Sequence, residues 1–289
     1  MLSAGRFDLV LLNGSDLLWL LPEIPPDIPR ILIAHNIEHR LFLSQIDTHY
    51  PAPGIRRSAL MRDWRVLRDY ETAGIREVEN VIFLSEQDAI TAVDSNPRTR
   101  SIVVPPVFDY VVNGHEGSTD HDGIDVGLVG NFGWWPNLEG LRWFLAEVFP
   151  HTGADVRLHL FGEQSHAAAS PHPRIVNHGF VEMAADIWSH CDFTICPTNV
   201  GGGVNVKLAE AVYNRVPVLT TSFGAKGLPL PSYPGIMVLD GASNWIDFLA
   251  SDAARRFGSA RVSEKVANLF AMDTHADRVQ NFIAACIEP

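Results

Sequence analysis

The stretch DFTICPTNVGGGVNVKLAEAVYNRVPVLTT, Asp192 to Thr221, decides the fold. An apolar run predicts a buried strand ending at Pro197 and Thr198, three glycines follow, and a stripe of helical period begins near Val204. A second apolar run, VPVLTT, predicts another strand. Strand, glycine loop, helix and strand in this order form one βαβ unit, so we expect a parallel sheet.

The same loop is suited to binding an anion. Gly201, Gly202 and Gly203 would let a bulky anion approach the backbone, and the N–H groups at the helix start would hold phosphate oxygens. Lys207 adds a positive charge in the first turn, and Glu210 could accept hydrogen bonds from the two hydroxyls of a ribose. These residues predict a cradle for a nucleoside diphosphate. A tight turn followed by a solvated Lys–Glu pair would explain the same pattern, and both interpretations stay open at this point.

The loop lacks the signatures of two other nucleotide-binding classes. No GK[ST] follows the glycines, so it is not the phosphate loop of an NTPase. The GxGxxG fingerprint of a nicotinamide-dependent enzyme should follow an early strand, whereas this loop lies late in the chain. An oxidoreductase is therefore disfavoured.

The composition of the whole chain is typical of a globular protein with two domains, since 46% of its 289 residues are hydrophobic. The net charge of −12, from 22 basic and 34 acidic side chains, disfavours binding to nucleic acid phosphates. Three cysteines without metal-type spacing indicate a reducing cytoplasm. Because Asn13, Ser15 and Asp16 interrupt the apolar start, it predicts neither a signal peptide nor a membrane span.

Ten short apolar runs alternate with segments of helical period along the chain, which predicts doubly wound α/β sheets. The stretch FDYVVNGHEGSTDHDGID has little periodicity and several glycines, so we place a domain boundary near Asn113. Ligands bind such sheets beyond the carboxyl ends of the strands. The predicted strands are 7–14, 30–36, 80–86 and 101–106 in the first domain, and 125–132, 156–163, 175–181, 192–198, 216–222 and 235–240 in the second.

The second part of the chain resembles the donor domain of group 1, or family 4, glycosyltransferases in four ordered motifs: VGNFGWWPNLEGLRWFLAEVFP, RLHLFGE, IVNHGFVEMAADIW and CDFTICPTNVGGGVNVKLAEAVYNRVPVLTTSFGAKGL. The first part resembles the acceptor half of that family in HNIEHRLF, YETAGIREVENVIFLSEQDA and VVPP. The resemblance implies the GT-B fold, in which two Rossmann-like parallel-sheet domains face a crevice. It places the acceptor domain at 1–112 and the donor domain at 113–289. The family opens with two or more further strands, so we expect an incomplete acceptor domain.

The resemblance also implies an activity. Members of this family transfer a sugar from a nucleotide-sugar donor, here a UDP- or GDP-sugar, to an acceptor hydroxyl with retention of configuration, and they require no metal or further cofactor. The acceptor would be a glycan, a lipid-linked molecule or a small molecule, used in cytoplasmic glycan biosynthesis. A non-catalytic nucleotide-sugar binding protein is the alternative, because an incomplete acceptor domain could impair turnover.

Residue by residue, the resemblance places Glu210 on the ribose and Lys207 on the phosphates. Gly130 and Asn131 match the loop that approaches the diphosphate, and Gly162 matches the turn after the next strand. The other residues implied for the donor site are Phe180 and Val181 beside the base, Thr198, the loop Gly201, Gly202, Gly203 and Val204, and Asn205.

Two positions depart from the pattern of the family. Gly202 stands where the family has the first Glu of its E-x7-E motif, so recognition of the sugar by that carboxylate is absent. Asn205 stands where an arginine often partners the lysine. The identity of the donor sugar is left open.

His35 closes the predicted strand RILIAHN, and the resemblance places a histidine there close to the donor sugar, in a catalytic role. Residues 35 to 39 also read HNIEH, which satisfies the HxxEH signature of zinc peptidases. That chemistry needs His35 and His39 on one face of a single helix. Because His35 directly follows a strand, we expect the two histidines to straddle a strand-to-loop junction, and the zinc hydrolase is the less favoured alternative.

The stretch RRSALMRDWRVLR, beginning at Arg56, predicts a basic amphipathic helix. Such a helix could rest on an anionic membrane, which leaves peripheral membrane contact open. The acidic residues Asp63, Asp69 and Glu71 favour an ordinary solvated helix that packs by its apolar stripe.

Overall fold

The computed structural model describes residues 7–95, 98–110, 123–230 and 233–287. The chain divides into two compact units. The first takes the described residues within 1–106, 201–204 and 272–289, and the second takes those within 107–200 and 205–271. The boundary predicted near Asn113 lies outside the described residues.

Every predicted apolar run overlaps a strand in the described residues, and most strands are shorter than the run. The run 30–36, for example, leaves the sheet after Ala34, where the polar pair His35 and Asn36 begins. The strands are β1 (Val10–Asn13), β2 (Arg30–Ala34), β3 (Asn80–Phe83), β4 (Arg100–Val103), β5 (Ile124–Val129), β6 (Val156–Phe161), β7 (Ile175–Gly179), β8 (Phe193–Cys196), β9 (Val218–Thr220) and β10 (Ile236–Val238).

The helices lie between these strands and after them. Short 3₁₀ segments occur at Ser15–Glu23, Phe149–His151 and Asn268–Phe270. The α-helices are α1 (Glu38–His49), α2 (Ile55–Val78), α3 (Glu86–Ser95), α4 (Trp135–Trp143), α5 (Ser165–Ala168), α6 (Ala184–Trp188), α7 (Val206–Tyr213), α8 (Ala242–Leu249), α9 (Asp252–Gly258), α10 (Glu264–Ala267) and α11 (Met272–Ile287).

The segment LEGLRWFLAEVF shows how local chemistry moves helix ends. Helix α4 begins earlier than the apolar stripe, because Pro136 occupies its first turn, where no backbone donor is needed. After α4 the chain widens into a π-helical turn at Phe144–Val148, and Pro150 lies in the 3₁₀ turn that ends the segment.

The first unit contains a sheet in the order β1-β2-β3-β4, and all of its strand pairs are parallel. Leu12 pairs with Leu32, which pairs with Val81, so buried aliphatic side chains stand in one row across the sheet. Helix α11 belongs to this unit, and Arg100 donates to the carbonyl oxygen of Ala285 at 3.3 Å.

The second unit contains a parallel sheet in the order β10-β9-β8-β5-β6-β7. From β5 the chain order continues to β6 and β7 on one side of the sheet, and from β8 it continues to β9 and β10 on the other side, so the direction reverses between β5 and β8. That reversal is the switch point of a doubly wound sheet, where ligands bind beyond the carboxyl ends of the strands.

Two apolar cores cover this second sheet. The consecutive residues Leu160 and Phe161 belong to different cores, and so do Val218 and Leu219. Because successive side chains of a strand point to opposite faces, the two cores lie on opposite faces of the sheet. The strands are therefore buried on both sides, as their continuous apolar runs indicate.

The basic amphipathic stretch lies within α2 and packs by its apolar stripe. Leu60, Met61, Trp64 and Leu67 are half-buried, and the Trp64 indole donates to the carbonyl oxygen of His39 at 2.9 Å. The stripe is thus used for packing within the first unit. Among the described residues, none of the helices is long and apolar enough to cross a membrane.

Candidate active site

A cavity of about 350 Å³ opens at the carboxyl ends of β5, β6 and β7, beside the switch point of the second sheet. Five residues predicted for the donor site, Gly130, Asn131, Gly162, Phe180 and Val181, line this one cavity. Its other walls are mostly apolar, with one carboxylate. These walls are formed by Val129, Phe161, Glu163 and Ile187.

Gly162 draws the strand ends around the cavity together. Its φ is 121°, and a Cβ there would lie 2.1 Å from the carbonyl oxygen of Gly130. Its N–H donates to the carbonyl oxygen of Gly179 at 2.6 Å, so the ends of β5, β6 and β7 meet at this residue. Any larger side chain would push the loop of Gly130 away from β6.

Lys207 lies beside Gly130, which lines the cavity. Its Nζ donates to Asn137 Oδ1 at 2.5 Å, and a Cβ on Gly130 would come within 3.0 Å of that Nζ. Asn137 in turn donates to the carbonyl oxygen of Asn131 at 2.8 Å. Burial lowers the pKa of Lys207, and in the described part of the chain no carboxylate forms an ion pair with it. A half-buried ammonium group without a counter-charge suits an anionic ligand.

The start of α7 offers a second feature that suits an anion. The residue before the helix, Asn205, makes no side-chain cap, and the first turn carries no acidic residue. The side-chain amide of Asn205 instead donates to Cys196 Sγ at 2.7 Å and to Thr198 Oγ1 at 3.2 Å. The partial positive charge at the first N–H groups of the helix is therefore not offset by a cap from Asn205 or by an acidic side chain of the first turn.

Glu210 lies on the same helix, one turn after Lys207, and the two side chains do not pair with each other. Glu210 accepts a hydrogen bond from the Tyr110 hydroxyl, whose oxygen lies 2.6 Å from its Oε1. Burial and the neighbouring carboxylate raise the pKa of Tyr110, so the phenol remains a neutral donor.

Residues Gly201, Gly202, Gly203 and Val204 belong to the first unit. Gly203 has a φ of 67°, and a Cβ on it would lie 1.8 Å from Asn36 Oδ1. The Gly201 N–H donates to Ser44 Oγ at 3.2 Å. In the first unit, this glycine permits close packing against the residues that follow β2. The phosphate-binding role of the loop stays a prediction.

His35 is exposed at the end of β2, and its Nε2 lies 2.7 Å from Asn13 Oδ1. His39 lies in the first turn of α1, where its Nδ1 lies 2.7 Å from Glu71 Oε2. The histidines of HNIEH therefore occupy different elements and have different partners, whereas an HxxEH site needs both on one helix. Across the described ranges, no group of three or more His, Cys, Asp or Glu residues could hold a metal ion.

Sequence reasoning missed Asn137, Glu163 and Tyr110. Glu163 lines the cavity, and its Oε2 accepts a hydrogen bond from Asn131 at 2.6 Å. It directly follows Gly162, so its place after a strand was a signal that could have found it. Asn137 and Tyr110 contact their partners across 70 and 100 residues of sequence, and no local pattern marks such pairs.

Comparisons with known proteins give one family match and many structural likenesses. Residues 123–248 match the family described as Glycosyl transferases group 1. No curated protein matches the chain. Sucrose-phosphate synthase from Thermosynechococcus elongatus is similar in structure, with a TM-score of 0.68 at 16% identity over 96% of this chain and 73% of that one.

Two further structures are similar. HepE from Anabaena, in complex with UDP-glucose, has a TM-score of 0.67 at 16% identity over 96% of this chain and 79% of that one. The G117R mutant of TarM from S. aureus, in complex with fondaparinux, alpha-GlcNAc-glycerol and UDP, has a TM-score of 0.65 at 11% identity over 96% of this chain and 55% of that one. Residues 123–248 thus match group 1 glycosyltransferases, and the two parallel-sheet units of the chain have the GT-B fold of such enzymes.

Proposed function

We propose that this protein is a glycosyltransferase that moves a sugar from a UDP- or GDP-sugar to an acceptor hydroxyl with retention of configuration. The observation that carries the proposal is Lys207, an ammonium group with no carboxylate partner among the described residues, beside a cavity at a sheet switch point. A nucleoside diphosphate supplies the two matching parts, an anion for the lysine and a planar base for the cavity.

The proposal assigns each part of the donor to residues of the second unit. The base enters the cavity beside the backbone of Phe180 and Val181. The diphosphate lies against Gly130 and the start of α7, where Lys207 adds its charge. The ribose hydroxyls donate to Glu210, which keeps one carboxylate oxygen without a hydrogen-bond partner among the described residues.

The chemical step moves one glycosyl group. The bond between the anomeric carbon and the β-phosphate oxygen breaks, and its electron pair leaves with the diphosphate. The acceptor oxygen forms the new bond on the same face of the sugar, and its proton passes to the leaving phosphate. Lys207 and the helix start stabilise the charge that grows on that phosphate, so their contribution is larger in the transition state than in the bound substrate.

His35 is proposed to serve the sugar end of the donor, where an imidazole could bind a hydroxyl or stabilise charge near the anomeric carbon. The acceptor class, a glycan, a lipid-linked molecule or a small molecule, belongs to the same proposal. A cytoplasmic location suits the three cysteines, which are all in the free thiol form.

Titration of the purified chain with UDP, GDP, ADP and Zn²⁺, each followed by thermal unfolding with and without EDTA, tests the proposal. We expect one nucleotide to stabilise the fold without metal, by about 2.7 kcal/mol at one hundred times its Kd. UDP- or GDP-sugars are then offered with sugar acceptors, and NMR of the product reports its anomeric configuration. Stabilisation by zinc alone would contradict the proposal, and nucleotide binding without turnover would favour a non-catalytic binding protein.

Comparison of Lys207→Ala with the matched control Lys226→Ala tests whether the nucleotide binds at the proposed site. We expect weaker nucleotide binding in Lys207→Ala alone. Lys226 is an exposed lysine of the same unit, and its Nζ lies over the ring of Phe223. Equal nucleotide affinity in both variants would show that the nucleotide does not bind at the proposed site.

A further inference from the structure

Tyr110 contacts the carboxylate that the proposed function assigns to the ribose. Its hydroxyl donates to Glu210 Oε1 at 2.6 Å, the short distance of a hydrogen bond to a charged acceptor. The other oxygen, Oε2, has no hydrogen-bond partner among the described residues. Tyr110 therefore restrains one side of the carboxylate and leaves the other side open.

An aromatic ladder holds Tyr110 against the helix that carries Glu210. The ring of Tyr110 lies edge-on to Phe108 at 6.1 Å, and Phe108 lies 5.5 Å from Tyr213 on α7. The backbone N–H of Phe108 also donates to the carbonyl oxygen of Phe270 at 2.9 Å. These ring contacts and the backbone hydrogen bond restrict the position of the phenol relative to Glu210.

The chemistry of the phenol suits a positioning role. A lysine or arginine in its place would neutralise the carboxylate and weaken it as an acceptor for a neutral hydroxyl. A phenol fixes the carboxylate by a hydrogen bond and leaves its negative charge in place. Lys207, the nearest cation on α7, donates to Asn137 instead.

We infer that Tyr110 is a positioning residue, which orients Glu210 so that its second oxygen accepts the ribose hydroxyls of the donor. This inference rests on the proposed function and adds a residue to its ribose site. Tyr110 itself touches neither the sugar nor the reacting atoms. Its effect must therefore pass through Glu210 and must depend on the presence of ribose hydroxyls.

The test compares Tyr110→Phe with the wild type by calorimetric titration of UDP, GDP and their 2′,3′-dideoxy analogues. We expect about 3- to 10-fold weaker binding of the nucleotide that binds, the size of one ordinary hydrogen bond because the effect is indirect, and unchanged binding of its dideoxy analogue. Tyr50→Phe, a change at an exposed tyrosine in the first unit, is the matched control and should change neither. Thermal unfolding of each variant checks that the fold is intact.

A double-mutant cycle shows whether the effect passes through Glu210. In Glu210→Ala, the added Tyr110→Phe change should cause no further loss of affinity. Equal losses for nucleotide and dideoxy analogue, or tighter binding by Tyr110→Phe, would overturn the inference, the latter because the phenol would then compete with the ribose. If Glu210→Ala weakens binding and Tyr110→Phe does not, the inference fails while the ribose site stands. If the wild type binds neither UDP nor GDP, the proposed function itself fails.

Discussion

The two units are built from the same kind of parallel sheet, yet they differ in how the strands are ordered. In the first, β1 to β4 follow one another across the sheet in chain order. In the second, the order reverses between β5 and β8, and the cavity lies beside that reversal. Loops that leave adjacent strands in opposite directions open a crevice, so strand order, more than strand composition, explains where the cavity of the second unit lies.

The units also differ in how they use charged side chains. In the first, the buried carboxylate of Glu71, only 1% exposed, accepts from the backbone N–H groups of Glu38 and His39 and contacts the His39 ring. In the second, the half-buried Lys207 has one hydrogen-bond partner among the described residues, the side-chain amide of Asn137. A paired buried charge supports the fold, and an unpaired one is available to a ligand. Four predictions test these differences between the units, from the largest expected effect to the smallest.

Gly162→Ala should damage the second unit most. The new Cβ would meet the carbonyl oxygen of Gly130 at 2.1 Å and would sit at a φ of 121°, so strain and overpacking should together lower the free energy of unfolding by about 2–5 kcal/mol. Denaturant unfolding measures the loss. Gly241→Ala is the control, because its φ is also positive, at 79°, but nothing lies within 4 Å of its Cβ. Equal losses in the two variants would show that strain alone, without the contact to Gly130, explains the effect.

Lys207→Ala should weaken nucleotide binding by about 1–3 kcal/mol, the range for a charge-assisted hydrogen bond, with little loss of stability because the change removes a half-buried charge that has no carboxylate partner among the described residues. Glu210→Gln should weaken binding by a similar amount. Calorimetric titration and thermal unfolding of the same samples measure both quantities. Full nucleotide affinity in both variants would contradict the assignment of the donor site.

The two histidines of HNIEH should separate function from stability in the first unit. His35→Ala should lower kcat about 10-fold or more and leave nucleotide affinity nearly unchanged, since its proposed role is in the transition state. His39→Ala should instead lower the free energy of unfolding by about 1–3 kcal/mol, because Glu71 loses one of its three donors. Loss of activity together with bound zinc in both variants would restore the zinc hydrolase.

The pH dependence of stability should report on His178 in the second unit. Burial, together with the neighbouring His159 and His190, lowers the pKa of His178 from 6.5 to about 4. Between these values the unfolded chain takes up a proton that the folded chain refuses, so stability should fall as the pH drops from about 6.5 to 4. His178→Gln should flatten this part of the profile, whereas His151→Gln, at an exposed position, should leave it unchanged. A wild-type profile that is flat over this range would contradict the prediction.

The fold was largely predictable from the sequence, because apolar runs buried on both faces of a sheet leave a strong local signal. All ten predicted runs overlap strands in the described residues, and the stretch from Asp192 to Thr221 forms the expected strand, loop and helix. Strand ends were less predictable. The run 30–36 contains a strand only to Ala34, because hydrogen-bonding partners across the sheet, and not local hydrophobicity, decide where pairing stops.

The residues that line the cavity were predictable only where they follow the ends of strands. Gly130, Asn131, Gly162, Phe180 and Val181 line one cavity as a group, since parallel strands bring their carboxyl ends to the same edge. Residues joined by long-range contacts, such as Tyr110 with Glu210, left no local signal. The grouping of Gly201 to Gly203 with the first unit was equally hidden, because a glycine run indicates close approach without saying what approaches.

The helix α11 has a consequence for the order in which the protein can assemble during synthesis. The first unit includes this helix, whose Arg278 donates to the carbonyl oxygen of Val103 on β4. All of the second unit is translated before α11 emerges from the ribosome, so we expect the second unit to complete its packing first, although β1 to β4 are synthesised earlier. Nascent chains halted before Met272 therefore lack the hydrogen bonds that Arg278 and Ala285 make to β4.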